Sequence, residues 1–235
     1  LITNASYVAV ISVTDVIGSP AGQTVTFDTY APLLTWEAED YDYGGGLTYD
    51  PTNTTGQYSN ALGTVEVDYH DTTTAGSTHA YRSGDTASTE PNGDAPLRLA
   101  YIGTGFTDYD VGWYDNGDWN NYTRTIPSGQ FNVVFRAANG AGGFGTVGLS
   151  RVTSGVGTTT QTTSNLGTFT IPVTGGWQTY TWVPLRDTGG NLVKVVGTGA
   201  QQTLRATSGG NNNANFYMLI EANTNQPTIV NVFPN

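Results

Sequence analysis

The chain contains no cysteine, a single methionine and only eight Lys and Arg side chains among 235 residues. Without cysteine there is neither a disulfide framework nor thiol chemistry, although secretion is not excluded. Eight cations against 19 acids leave a net charge of −11. That balance disfavours binding by phosphate neutralisation, and nucleic acid with it. A neutral ligand or a bound hard cation suits it better, and an acidic surface also keeps a protein in solution. Charged residues make up only 11% of the chain, under half of the usual share of about 25%. No apolar run approaches the ~20 residues that span a bilayer, so membrane insertion is not expected. The single methionine is Met218, and no basic segment leads into an apolar one at the start. The sequence reads as an excerpt of a longer protein with covalently linked neighbouring domains.

Glycine is plentiful at 31 residues, alongside Thr, Asn and Ser, and aromatics at 11% supply a core. Disorder is therefore not expected. Short alternating runs are separated by Gly/Asn/Asp/Thr clusters, and no helical period lasts two turns. Strands are predicted over 7–14, 23–30, 33–39, 97–102, 119–126, 130–137, 147–152, 167–173, 178–185, 191–196, 201–206 and 216–221. This is the pattern of an all-β sandwich of antiparallel strands with long loops. Residues 1–33 read as a hairpin or the tail of a preceding domain, 34–223 as the sandwich, and 224–235 as a linker. The stretch Val152–Asn165 lacks apolar alternation and reads as a long loop. Tyr43–Gly63 and Asp85–Ala95 read as irregular surface insertions.

One run carries most of the functional information: Trp113-Tyr114-Asp115-Asn116-Gly117-Asp118-Trp119-Asn120-Asn121-Tyr122-Thr123. It sets aromatics beside Asp, Asn and Gly turn chemistry. A pyranose has C–H bonds on its faces and hydroxyls around its rim. An indole can stack on the face while amides and carboxylates bond the rim.

Five segments in order resemble the family 6 carbohydrate-binding modules: Trp36–Tyr41; Val67–Asp71 with Ala80–Arg82; Asp110–Trp113 running to Gly117–Trp119; Gly175–Tyr180; and Gly210–Phe216. The resemblance spans about 34–222. Its departures are the insertions at Tyr43–Gly63 and Val152–Asn165, and the absence of the family's glycine triplet in Gly103–Trp113. It implies a β-sandwich of jelly-roll type that holds a polysaccharide or oligosaccharide without catalysis, in a secreted or cell-surface bacterial-type protein. A monomer is expected.

The resemblance also implies site residues. Trp113 and Trp177 would wall the sugar, and Asn213 would bond its hydroxyls. Tyr69, His70 and Asp71 would contribute a third wall, and Trp119 a second cleft on a sheet face; half-buried packing of Trp119 against Tyr180 or Trp182 is the plainer alternative. A catalytic His70 is disfavoured, because neighbouring strand residues point to opposite faces and no nucleophile motif accompanies it. Tyr122, Phe131, Phe135 and Tyr180 alternate along strands and are expected in the core. Glu37 and Glu39 flank Ala38, so an extended strand aims both at one face, where they repel unless a cation lies between. The resemblance supplies a structural Ca²⁺ there, held by the pair and backbone carbonyls, with Glu221 as a candidate third acid. All-oxygen ligands suit Ca²⁺ better than Zn²⁺. The competing functions are a β-sandwich polysaccharide lyase or glycosidase using Asp115, Asp118 or His70, and a spacer or adhesion domain.

Overall fold

The computed structural model describes residues 6–50, 56–73, 78–94 and 107–222. Among them there are fourteen strands and no helix. The predicted strand at 97–102 and the predicted linker at 224–235 lie outside the described residues.

Strands β1 (Ser6–Thr14) and β2 (Pro20–Asp28) form a two-stranded antiparallel sheet by themselves, with Tyr7 stacked on Phe27. Asp15 closes its turn by accepting from the amides of Ile17 and Ser19. The remaining strands build two sheets. One has the order β10-β9-β13-β7-β4: Thr162–Ile171, Gly145–Ser154, Gln201–Ser208, Trp119–Thr125 and Tyr69–His70. The other runs β11-β8-β14-β6-β5: Tyr180–Pro184, Gly129–Ala138, Asn213–Glu221, Tyr109–Val111 and Thr89–Pro91. In this second sheet β12 (Val195–Gly197) also pairs with β8, and β3 (Pro32–Glu37) with β14.

The two sheets bury their facing sides against each other. Tyr122, Leu149, Phe169 and Leu204 from one meet Val133, Phe135, Tyr217 and Leu219 from the other. Phe135 stacks on Tyr217 at 4.4 Å, with Phe169 tilted onto both. Such pairs add roughly 0.5–1.5 kcal/mol beyond area burial. Strand β14 is buried along nearly its whole length because its other side is covered too: Phe216, Met218 and Ile220 cluster with Val134, Trp182 and Tyr30. Strands buried on both faces read as continuous apolar runs, which is how 216–220 appears in the sequence.

Three loop expectations change. Residues 152–165 are not a long loop: β9 and β10 continue through them as a hairpin, leaving a turn at 155–161. The first residues of β10 are exposed, so β-branched Thr and ladder bonds suffice and no apolar alternation is needed. The insertion 85–95 contains the three-residue strand β5. The described parts of the insertion, 43–50 and 56–63, are irregular but not superficial. Tyr58 within it is fully buried, with the Arg82 and Arg124 guanidinium groups 5.4 and 5.0 Å from its ring. Two cations distant in the sequence are thus brought to one ring.

Candidate functional site

The strand orders of the two sheets match, and this arranges the loops at one end. Residues 172–179 join β10 to β11, 139–144 join β8 to β9, 209–212 join β13 to β14, and 112–118 join β6 to β7. Four crossings therefore lie side by side in that order. They are laced together: Thr174 N–H donates to Asn139 O at 2.9 Å, and Asn211 Nδ2 to Phe144 O at 3.5 Å. The Ser208 hydroxyl donates to Tyr114 O at 2.7 Å, and Gly117 N–H to Ser208 O at 2.9 Å.

The outer crossings each carry an exposed indole. Trp113 is 54% exposed and sits at φ +50°, in the left-handed region. For a bulky residue that costs on the order of 1–2 kcal/mol, and it persists only where the surroundings over-determine it. Here they do. Tyr114 is buried, its hydroxyl donating to Ala206 O at 2.8 Å, and the preceding Gly112 lies against Glu90, whose Oε1 would stand 2.3 Å from a Cβ. Trp177 is 46% exposed and follows Gly175 and Gly176. Its ring lies flat on the bare backbone of Gly140, with three ring atoms 2.8 Å from where a Cβ would be. The next residue anchors it: Gln178 accepts from Gly93 N–H at 2.7 Å and donates to Asp110 Oδ2 at 2.9 Å.

Between these walls runs the Gly209–Asn213 segment. Asn213 is buried and donates from Nδ2 to Glu90 Oε1 at 3.3 Å. The buried Asn212 Oδ1 has no hydrogen-bond partner. Beneath, Glu90 and Asp110 are cross-strand partners on β5 and β6. Burial pushes the Glu90 carboxyl above its ordinary value, opposed by the bond from Asn213. Burial raises Asp110 to about 7, although the Tyr180 hydroxyl and Gln178 donate to it; Glu90 adds repulsion. Asp110 Oδ1 is buried without a partner. Tyr180 is accordingly not a core residue. It is half-buried on the outer side of its sheet, under the Arg136 guanidinium at 4.4 Å.

The structure thus brings Trp113, Trp177 and Asn213 to one loop cluster and places the other residues elsewhere. Tyr69 is 2% exposed and belongs to the core, packed on Tyr41, its hydroxyl accepting from Thr86. It cannot wall a sugar, because on β4 it points inward while His70 points out. His70 stacks on Trp119 across the β4–β7 pair, on the outer side of the other sheet, with Glu66 on its Nδ1. Trp119 meets Arg205 there, not Tyr180 or Trp182, which belong to the opposite sheet. Asp71 accepts from Thr73 N–H in the following turn.

Glu37 and Glu39 do approach each other. Along one edge of β14, β3 pairs with 216–220 and β6 with Ala214, end to end. At that seam burial, then Glu37, Asp40 and Asp108, push the Glu39 carboxyl well up, and its Oε2 is buried without a hydrogen-bond partner. Among the described residues no three His, Cys, Asp or Glu side chains gather as a metal-binding group. Glu221 is exposed, five residues from Phe216 along β14 and so roughly 17 Å from the seam. It is not the third acid.

Residues that sequence reasoning missed are Glu90, Asp110, Gly140 and Phe144. Glu90 and Gly140 carry no local signal; only pairing places them at the site. Phe144, exposed at the end of its crossing, lies in a Gly-rich run that reads simply as a turn.

No family model and no curated protein matches the chain. Solved family 6 carbohydrate-binding modules match it in structure. A carbohydrate-binding module (CBM6cm-2) from Cellvibrio mixtus lichenase 5A, in complex with cellotriose, is 21% identical, with TM-score 0.47, over 82% of this chain and 100% of that one. A β-1,3-glucan-binding CBM6 from Bacillus halodurans is 18% identical, with TM-score 0.47, over 81% and 97%. A glycoside hydrolase family 43 arabinoxylan arabinofuranohydrolase from Bacillus subtilis, in complex with cellotetraose, is 13% identical, with TM-score 0.45; 90% of this chain covers 33% of it.

Proposed function

We propose that this chain is a non-catalytic carbohydrate-binding module of a secreted or cell-surface multidomain protein, holding a polysaccharide in the slot between Trp113 and Trp177. The observation that carries the reading is the crossing-loop register: two exposed indoles bracket an Asn-rich crossing. Trp177 lies over the second crossing and Trp113 stands on the fourth, two strand spacings apart, or roughly 10 Å. A sugar stacked on both faces needs about 7–8 Å between ring planes, two carbon–carbon contacts of 3.5–4.0 Å. The rim hydroxyls then meet the exposed Asn211, a group that both donates and accepts, with Asn212 and Asn213 buried behind it.

A glycosidase is a poorer fit. Its two acids flank the scissile bond, whereas Glu90 and Asp110 are adjacent partners on one side of the slot. A lyase needs a cation for the uronate at its reacting centre; Arg82, Arg124 and Arg136 are buried and committed to Asp85, Asp42 and Asp94, and Arg205 lies over Trp119 on the outer side of a sheet, away from the slot. Tethering by such a module raises the effective concentration of substrate for an attached enzyme without new chemistry. The test is affinity electrophoresis and pull-down on a panel of soluble and insoluble polysaccharides, with Trp177→Ala alongside. Binding to one glycan class that vanishes in the variant supports the module. Absence of binding throughout, in wild type and variant, supports the spacer reading instead.

We also propose a structural Ca²⁺ at the β3–β6 seam, with Glu37 and Glu39 as side-chain ligands and backbone carbonyls as the rest. A hard cation would supply the charge that the crowded Glu39 carboxyl lacks. Chelation should lower the melting temperature and added Ca²⁺ restore it. At 100 times Kd the ion contributes about 2.7 kcal/mol. Identical melts with and without chelator would remove the metal.

A further inference from the structure

The β9–β10 hairpin does not end at the edge of its sheet. Its tip reaches across β13 and β7 toward the segment before β4. Gln161 donates to Val67 O at 2.7 Å and accepts from Asn121 Nδ2 at 2.8 Å. Gly157 lies so close to Gly46 that a Cβ on Gly46 would stand 2.8 Å from its Cα. The tip thus arches over one part of the sheet's outer side, and Arg205 is held beside it.

Arg205 is fixed from three directions. Its guanidinium carbon lies 3.6 Å over the Trp119 ring, Nε donates to Asn121 Oδ1 at 3.1 Å, and Nη2 donates to Gln161 Oε1 at 2.6 Å. Trp119 therefore offers this ring face to a guanidinium rather than to a sugar. Two of the five N–H donors of the fork are used in these bonds, leaving three. Among the described residues Arg82, Arg124 and Arg136 each ion-pair with an aspartate, and Arg205 has no such partner. Glu66, whose charge bears on it, is engaged with His70. Burial pulls the Arg205 pKa down, with Tyr114 and Glu66 opposing. A half-buried, immobilised cation with no ion-pair partner can meet an anion locally, even though the net charge of −11 opposes anions over the chain as a whole.

We propose that Arg205, seated on Trp119 and steadied by Asn121 and Gln161, binds the carboxylate of a uronic-acid residue, at a site separate from the Trp113/Trp177 slot. A planar fork matches a carboxylate in two parallel bonds. The hairpin arch closes one side, so a short acidic fragment suffices and lengthening it adds little. The site stands independently of what the slot holds.

The test titrates short oligogalacturonides, and the same fragments fully methyl-esterified, into the intact chain while following the Trp119 indole N–H by NMR. The acid should bind and shift that signal, and the ester should not. Arg205→Gln should weaken the acid about tenfold or more, in line with the loss of charged hydrogen bonds. Trp177→Ala should leave it unchanged, and added salt should weaken it. Should Arg205→Gln not fold, Arg205→Lys decides, because it keeps the charge but loses the fork: undiminished affinity overturns the proposal. So do equal binding of ester and acid, preference for a sulfated oligosaccharide, or an unmoved indole signal.

Discussion

Gly140→Ala tests the slot without touching either indole. The backbone at Gly140 lies outside the left-handed region, so an alanine is tolerated there on conformational grounds. Its methyl, however, would occupy the space of the Trp177 ring, 2.8 Å from Cδ1, Cδ2 and Cε2. The ring is nearly half exposed and can swing outward, so the clash resolves by displacing the wall rather than by unfolding. If a stack contributes about 0.5–1.5 kcal/mol, the glycan dissociation constant should rise about 2- to 12-fold. Isothermal titration with the glycan identified by the panel reads the change, and a thermal melt beside it guards against misfolding. Unchanged affinity, with Trp177→Ala silent as well, would refute Trp177 as a wall. A drop in melting temperature of the size seen for core truncations would instead make Gly140 a packing residue.

Two further predictions follow from strain and burial. Trp113→Gly should raise or preserve stability, by on the order of 1 kcal/mol of relieved left-handed strain, while glycan binding falls. A variant both less stable and fully binding would show that the conformation serves packing. Asp110 has its pKa raised to about 7 in the folded chain, from 3.8. The folded state therefore retains a proton that the unfolded chain releases, and stability falls as pH rises from about 4 to 7. The loss is at most about 4 kcal/mol, at 1.36 per unit. Asp110→Asn should flatten that slope, so that urea midpoints at pH 5 and pH 8 draw together; parallel slopes in both proteins would sink the assignment.

Much of this was legible in the sequence because the informative residues are local. Turn glycines beside aromatics mark Trp113 and Trp177, and alternating runs mark most sandwich strands to within a few residues. What escaped is non-local. Tyr69 and His70 look alike as candidate wall residues, and only the pairing of Tyr69 with Asn120 shows which side of β4 faces the core. The β9–β10 hairpin hides because its exposed residues need no apolar period. Glu90 and Gly140 matter through neighbours some 120 and 37 positions away, Asn213 and Trp177, and no window along the chain joins those pairs.

The side-by-side crossings have a consequence for how such a protein can change. Each crossing is fastened at both ends by its own strands, so one can be edited while its neighbours keep their places. The 139–144 crossing is the most permissive: added Cβ atoms at Gly142 and Gly143 would meet nothing within 4 Å, and neither residue has a positive φ. Side chains placed there would reach unoccupied space on the crossing that Trp177 overlies, so on the proposed sugar-binding reading this short glycine run could tune ligand preference without displacing packed neighbours.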